Sequence, residues 1–267
     1  AINRVKELQN EKAKKISADP LMKYSSVLSG IFHERAIICE ADADCMIYQA
    51  LLVQRSVHGG PNPDVLFLHA SGKHRMATMT DALRALGVPV DVIADIDLLN
   101  EKAPFQNLVQ ELGGDWSAIE PLWKRVKDAI ESRKSWHNAD AVANSIRKKL
   151  DEVAGQDEFP KSAAAEIKRT LKKGSPWSAV KDAGDTAIPS GQPSRDMKQL
   201  RAYLEPIGLW IVPVGELEGF CRSIDGHGPK WAQKVIEERD LATDAELEQA
   251  RAFINSIWSR SPANQPQ

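Results

Sequence analysis

The chain has few of the residues that would mark it as a disulfide scaffold, a membrane protein or an overt nucleic-acid binder. Its 267 residues include three cysteines, Cys39, Cys45 and Cys221. They are far from any zinc spacing and read as buried free thiols of a reducing compartment. No apolar run approaches the ~20 residues of a membrane span, and no secretory leader is recognisable. The net charge is −2, so no global basicity announces a polyanionic partner. An acidic site can still offset basic patches elsewhere. Three tyrosines, Tyr24, Tyr48 and Tyr203, sit in no recognisable nucleophile motif. No internal repeat is visible. What remains is ordinary: 42% apolar and 27% charged residues, enough chain for one large domain or two small ones. The expectation is a cytoplasmic protein of a bacterial type. The sequence opens at Ala1 and runs at once into a charged helical pattern, which suggests a piece of a longer polypeptide.

Against this background one stretch stands out, from Arg35 to Asp97. It begins R-A-I-I-C-E-A-D-A-D and ends V-P-V-D-V-I-A-D-I-D. Each half is a short apolar, β-branched run stopped by carboxylates, the pattern of a buried strand in an α/β sheet. Strands are expected at Ala36–Cys39, Val65–His69 and Val90–Ile93. Helices between them carry Met46, Ile47, Ala50, Leu51 and Val53, then Met76, Met79, Leu83 and Leu86. His58–Pro63 is a turn-rich loop and Gly87 a helix stop. This alternation predicts a mostly parallel sheet flanked by helices, with right-handed crossovers.

Helical periodicity then takes over. Ile119, Leu122, Val126 and Ile130 form one stripe, and Val142, Ile146 and Leu150 another. Ala163–Lys173 is a further helix and Gly184–Pro193 a flexible loop. A fourth strand, Leu209–Val214, ends in Gly215-Glu216-Leu217-Glu218. A helix begins near Lys230-Trp231, and Thr243-Asp-Ala-Glu246 reads as a capping box for the last one. The expected organisation is connector helices over 1–34, a first sheet part over 35–100, and a helical insertion over 101–205. The second sheet part and C-terminal helices follow over 206–260, then a tail over 261–267.

Ligands of α/β sheets sit past the carboxyl ends of the strands. Glu40 and Asp44, Asp95 and Asp97, and Glu216 and Glu218 each follow such an end. Acids there often cap the next helix, a job Asp42 can do, and D-x-D arises by chance. Three strands that each end in paired acids are harder to explain structurally. Gathered acids repel one another unless cations neutralise them, and hard oxygen ligands suit Mg²⁺ or Mn²⁺. Ser71, Gly72 and Lys73 lie at another strand end, within reach of a phosphate or in an ordinary β–α turn. Lys161, Lys168, Arg169, Lys172, Lys173 and Lys181, opposed by Glu166 alone, form either a solvated face or a stripe that grips phosphates without reading sequence. The histidines show no metal spacing and read as structural, His227 being of interest for its nearness to Lys230.

E-A-D-A-D after a strand resembles the E-G-x-x-D signature of Toprim domains, with Ala41 replacing glycine. I-A-D-I-D resembles their D-x-D. With S-G-K, G-E-L-E-G-F and G-P-K-W-A-Q-K-V, the chain resembles the C-terminal Toprim nuclease region of the overcoming-lysogenization-defect (OLD) family, class 2, over most of residues 30–240 apart from the insertion. The resemblance implies a Toprim-like fold and a metal-dependent endonuclease acting on DNA, in the setting of phage defence. It assigns Glu40, Asp44, Asp95, Asp97, Glu216 and Glu218 as ligands, the last two not separable. Lys230 would stabilise charge on the phosphate, and Glu40 and Asp95 would share in catalysis with it. Two ions about 4 Å apart would straddle the phosphate and activate water. Family members carry an upstream ATPase. This chain has no G-x-x-x-x-G-K-[ST], so that domain and any nucleotide site would lie before Ala1. DNA, the ATPase domain and a second copy in a homodimer are the implied partners. Two rivals stand beside this reading: a Toprim-type ribonuclease, and an inactive module that binds DNA or dimerises.

Overall fold

A computed structural model describes residues 26–57, 64–132, 139–173 and 175–260, except the side chains of residues 56, 57, 139, 169, 172 and 173. Four strands form one parallel sheet: β1 (Arg35–Cys39), β2 (Val65–His69), β3 (Val90–Ala94) and β4 (Leu209–Ile211). Their order across the sheet is β2-β1-β3-β4. All three pairings are parallel, with Ile37 opposite Phe67 and Asp91, and Ile93 opposite Trp210. The first three strands match the expected ones. β4 is shorter, because the chain turns away at Pro213 and Gly215, where Gly215 takes φ 102°.

Successive strand residues serve opposite faces, as the pleat requires. Ala36, Ile38, Val90, Val92, Leu209 and Ile211 pack into one core. Ile37, Cys39, Ile93, Trp210 and Val212 pack into the other. The first core is covered by α2 (Met76–Ala85), α3 (Lys102–Glu111), α4 (Trp116–Glu131), α7 (Pro176–Ala183) and α8 (Gln192–Ile207). The second is covered by α1 (Asp42–Val57), α9 (Gly228–Glu238) and α10 (Glu248–Ser259). The result is a three-layer α/β sandwich, consistent with the Toprim-like arrangement expected.

The helices between β3 and β4 are largely part of this sandwich. Phe105, Leu108, Trp116, Ile119, Trp123, Val126, Leu200 and Leu204 share a core with the sheet. In α4 Trp123 takes the buried place rather than Leu122, because its indole Nε1 donates to Leu99 O at 2.7 Å while its ring packs beside Trp116. Two further helices, α5 (Ala139–Val153) and α6 (Lys161–Lys173), pair with each other and leave Leu150 and Leu171 exposed. The segment expected as a flexible Gly184–Pro193 loop is instead a 3-10 turn over Gly184–Ala187 followed by the start of α8. It is held because Asp185 N donates to Pro213 O at 2.9 Å and Arg201 pairs with the Asp185 carboxylate at 2.7 Å.

The capping box expected at Thr243–Glu246 is not formed. Asp244 is the cap, its side chain accepting from Glu246 N. The Glu246 carboxylate instead accepts from Arg222 N and Ser223 N, pinning the loop after β4. The connector helix expected before Asp19-Pro20, the His58–Pro63 loop and the tail after Arg260 lie outside the described residues.

Candidate metal centre

Strand order creates the site. β1 continues to β2 on one side, while β3 lies on its other side, so the strand order reverses between β1 and β3. Crevices at such reversals are where α/β sheets bind ligands. Glu40 leaves β1 and Asp95 leaves β3, side by side at this point. Asp97 follows two residues later in a 3-10 turn over Ile96–Asn100. β4, next to β3, delivers Glu216 and Glu218, and β2, next to β1, delivers Lys73.

Short backbone bonds fix the rim. Ala70 N donates to Cys39 O at 2.9 Å and Gly72 N to Glu40 O at 3.0 Å, carrying the β1–β2 register beyond the strands. Val212 N donates to Ala94 O, and Ile96 N to Gly215 O, both at 2.9 Å. Ser71, with φ 56°, is the one non-glycine at positive φ among the described residues. Ala41, which stands where the sequence resemblance expects glycine, therefore sits in ordinary backbone. There Asp44 accepts from Ala41 N at 2.8 Å, closing the turn that presents Glu40.

Among the described residues two ligand groups result. Carboxylate oxygens of Glu40, Asp95 and Asp97 lie within 4.8 Å of one another, as do those of Glu216 and Glu218 with a ring nitrogen of His227. Asp44 belongs to neither group. His227, of interest in the sequence for its nearness to Lys230 but read there as structural, was not expected as a ligand because an isolated histidine within a glycine-rich turn carries no spacing signal. Glu218 also accepts from Gly228 N at 2.9 Å, tying the start of α9 to the rim.

The electrostatics are those of a site short of positive charge. Burial, then Asp95 and Asp97, push the Glu40 carboxyl up to about 7. Burial, then Asp95, Glu40 and Glu218, push Asp44 up to about 7 despite its bond to Ala41. Burial also raises Asp95 and Glu216, though Lys181 pulls both back. Glu40 Oε2 and Asp97 Oδ1 are buried without a hydrogen-bond partner. Buried polar atoms normally have one, so these two acidic oxygens are free to take a cation. The donor set is almost entirely carboxylate oxygen, which fits Mg²⁺ or Mn²⁺.

Lys181 is the residue that sequence reasoning misplaced. In the sequence it ends a basic stripe; in the fold its ammonium lies 2.9 Å from Asp95 and 3.5 Å from Glu216. No local pattern signals this. α7 is brought in by glycines: a Cβ on Gly215 would meet Lys181 O at 1.9 Å, and one on Gly184 would meet Pro213 O at 2.1 Å. Lys73, read in the sequence as a phosphate contact or part of an ordinary β–α turn, is engaged with Asp97 O at 3.1 Å, Asp97 Oδ2 at 3.4 Å and Glu101 at 2.9 Å. Ser71 is exposed and its hydroxyl meets His69 Nδ1 at 3.1 Å. Lys230, the second residue after Gly228 in α9, is exposed, and among the described residues it has no ion pair with the six acids. Lys168 is exposed on α6, while Glu166, the stripe's lone acid, pairs with Lys149 at 2.6 Å. The side chains of Arg169, Lys172 and Lys173 lie outside the described residues.

The chain matches no family model, no curated protein and no solved structure.

Proposed function

We propose that this chain is the Mg²⁺- or Mn²⁺-dependent endonuclease part of an OLD-like DNA-cleaving machine. The observation that carries the reading is the convergence of acids from three strand ends at the sheet's reversal point, with two of their buried oxygens unpartnered. Glu40, Asp95 and Asp97 would hold one ion; Glu216 and Glu218, with His227, a second. Ions so held neutralise charge at a phosphate and make water more acidic. The chain's own residues do the rest. Asp44 fixes the Glu40 turn through Ala41 N. Lys230, free at the surface beside this rim, meets the phosphate oxygens. Water is the nucleophile in this reading. Tyr48 is fully buried, and the Tyr203 hydroxyl is bonded to Asp115 N, so neither is presented to a substrate. DNA as substrate, an ATPase upstream in the same polypeptide, a homodimer and a bacterial cytoplasmic setting are further parts of the proposal. Among the described residues no helix is long and apolar enough to cross a membrane.

The test is supercoiled plasmid with Mg²⁺ or Mn²⁺. The native protein should nick or linearise it, and Asp95→Ala should abolish cutting. Lys230→Ala should slow cutting about 10²-fold, the scale of losing a charge-stabilising group, while leaving metal affinity unchanged. Plasmid bound but left intact would favour a DNA-binding module. Cleavage of single-stranded RNA with DNA untouched would favour a ribonuclease.

A further inference from the structure

Among the described residues two lysines reach the acidic rim, and they are held differently. Lys73 is anchored on a backbone carbonyl and two carboxylates, and its side chain is 12% exposed. Lys181 is 31% exposed, and its ion pairs are with Asp95 and Glu216. Those two acids belong to different ligand groups, so one ammonium bridges both. Its backbone is locked: Gly215 packs on its carbonyl, and Arg222 donates to Asp182 O at 2.6 Å. The four-carbon stem is then the movable part, a flexible tether carrying a compact point charge.

Resting on the metal-centre reading above, we propose that Lys181 is a resident counter-cation that competes with divalent metal for Asp95 and Glu216. In the metal-free chain it neutralises part of the acid excess and holds α7 against the rim. An arriving ion, with twice the charge, takes the same carboxylate oxygens and expels the ammonium towards solvent. The lysine keeps the empty site folded and sets a threshold of metal concentration below which the site stays closed to it.

Two measurements on the intact chain test this. The first is calorimetric titration of Mn²⁺ into the native protein, Lys181→Gln and Lys181→Arg, with circular dichroism to confirm folding. Removing a like charge in contact with two ligands should tighten binding about tenfold in Lys181→Gln. Lys181→Arg, which keeps the charge, should stay near the native value. The second measurement needs no variant: acylation of lysines by a small activated ester, read by mass spectrometry with and without Mg²⁺. Labelling of Lys181 should rise severalfold when Mg²⁺ is added, while labelling of Lys73 stays constant. Native protein that binds Mn²⁺ with the same affinity as Lys181→Gln, or labelling of Lys181 indifferent to Mg²⁺, overturns the competition and leaves the metal centre standing. Failure of both native and Lys181→Gln proteins to bind any divalent ion removes the metal centre and the competition together.

Discussion

The raised carboxyls of Glu40 and Asp44 give the metal-free protein an unusual stability profile. Both titrate at about 7 in the folded chain, against 4.5 and 3.8 for the free groups. Between those limits the folded state binds more protons than the unfolded state, so stability must fall as pH rises through that window. A tenfold difference in proton affinity between the two states corresponds to about 1.4 kcal/mol. Glu40 alone would cost about 3 kcal/mol and Asp44 about 4 kcal/mol by pH 8. Their mutual repulsion is counted in both figures, and Glu40 is only partly enclosed, so roughly 3–5 kcal/mol in all is the working value. Carboxyls lowered by their partners, such as Glu246 beside Ser223, stabilise in the opposite sense, but below about pH 5, outside this window. Urea unfolding in a chelator at half-unit steps from pH 5 to pH 8 measures the slope. The native chain should lose stability throughout, Glu40→Gln/Asp44→Asn should flatten the profile, and millimolar Mg²⁺ should flatten it for the native chain. Stability that is level or rising from pH 5 to pH 8 in chelator would refute the electrostatic account of the site.

Other perturbations have equally definite outcomes. Asp91 is fully buried at the opposite end of β3, accepting from Trp210 Nε1 at 2.9 Å and Arg260 Nε at 2.7 Å, with Arg35 at 3.5 Å. Asp91→Ala leaves Arg35 buried without its counter-charge and should cost about 3–5 kcal/mol in chemical denaturation. Gly215→Ala forces a Cβ to 1.9 Å from Lys181 O at φ 102°. It should lower stability by at least about 2 kcal/mol and weaken Mn²⁺ binding, since the Glu216–Glu218 loop must shift; thermal melting and titration read the two effects. Trp123→Ala, which empties a place between Phe105 and Trp116, should cost about 3–5 kcal/mol with no change in the pH slope.

The strands and their endings were legible in the sequence because both signals are local. A run such as Ala-Ile-Ile-Cys is apolar on both faces, as a strand covered on both sides must be, and the acids that follow mark where the covering stops. Parallel pairing followed from the intervening helices. The pairs of acids after β1, β3 and β4 were legible too. The order β2-β1-β3-β4 was not, because periodicity says which face a residue serves but not which strand becomes its neighbour. That order alone puts Glu40 beside Asp95. The basic residues were the least legible. Lys181 and Lys168 look alike in one stripe, yet one lies among carboxylates and the other is exposed. What separates them is backbone contact at Gly184 and Gly215, between segments about thirty residues apart, where only the absence of a Cβ lets the chains meet. Sequence determined which chemistry the strand ends offer; long-range packing decided which cations stand next to it.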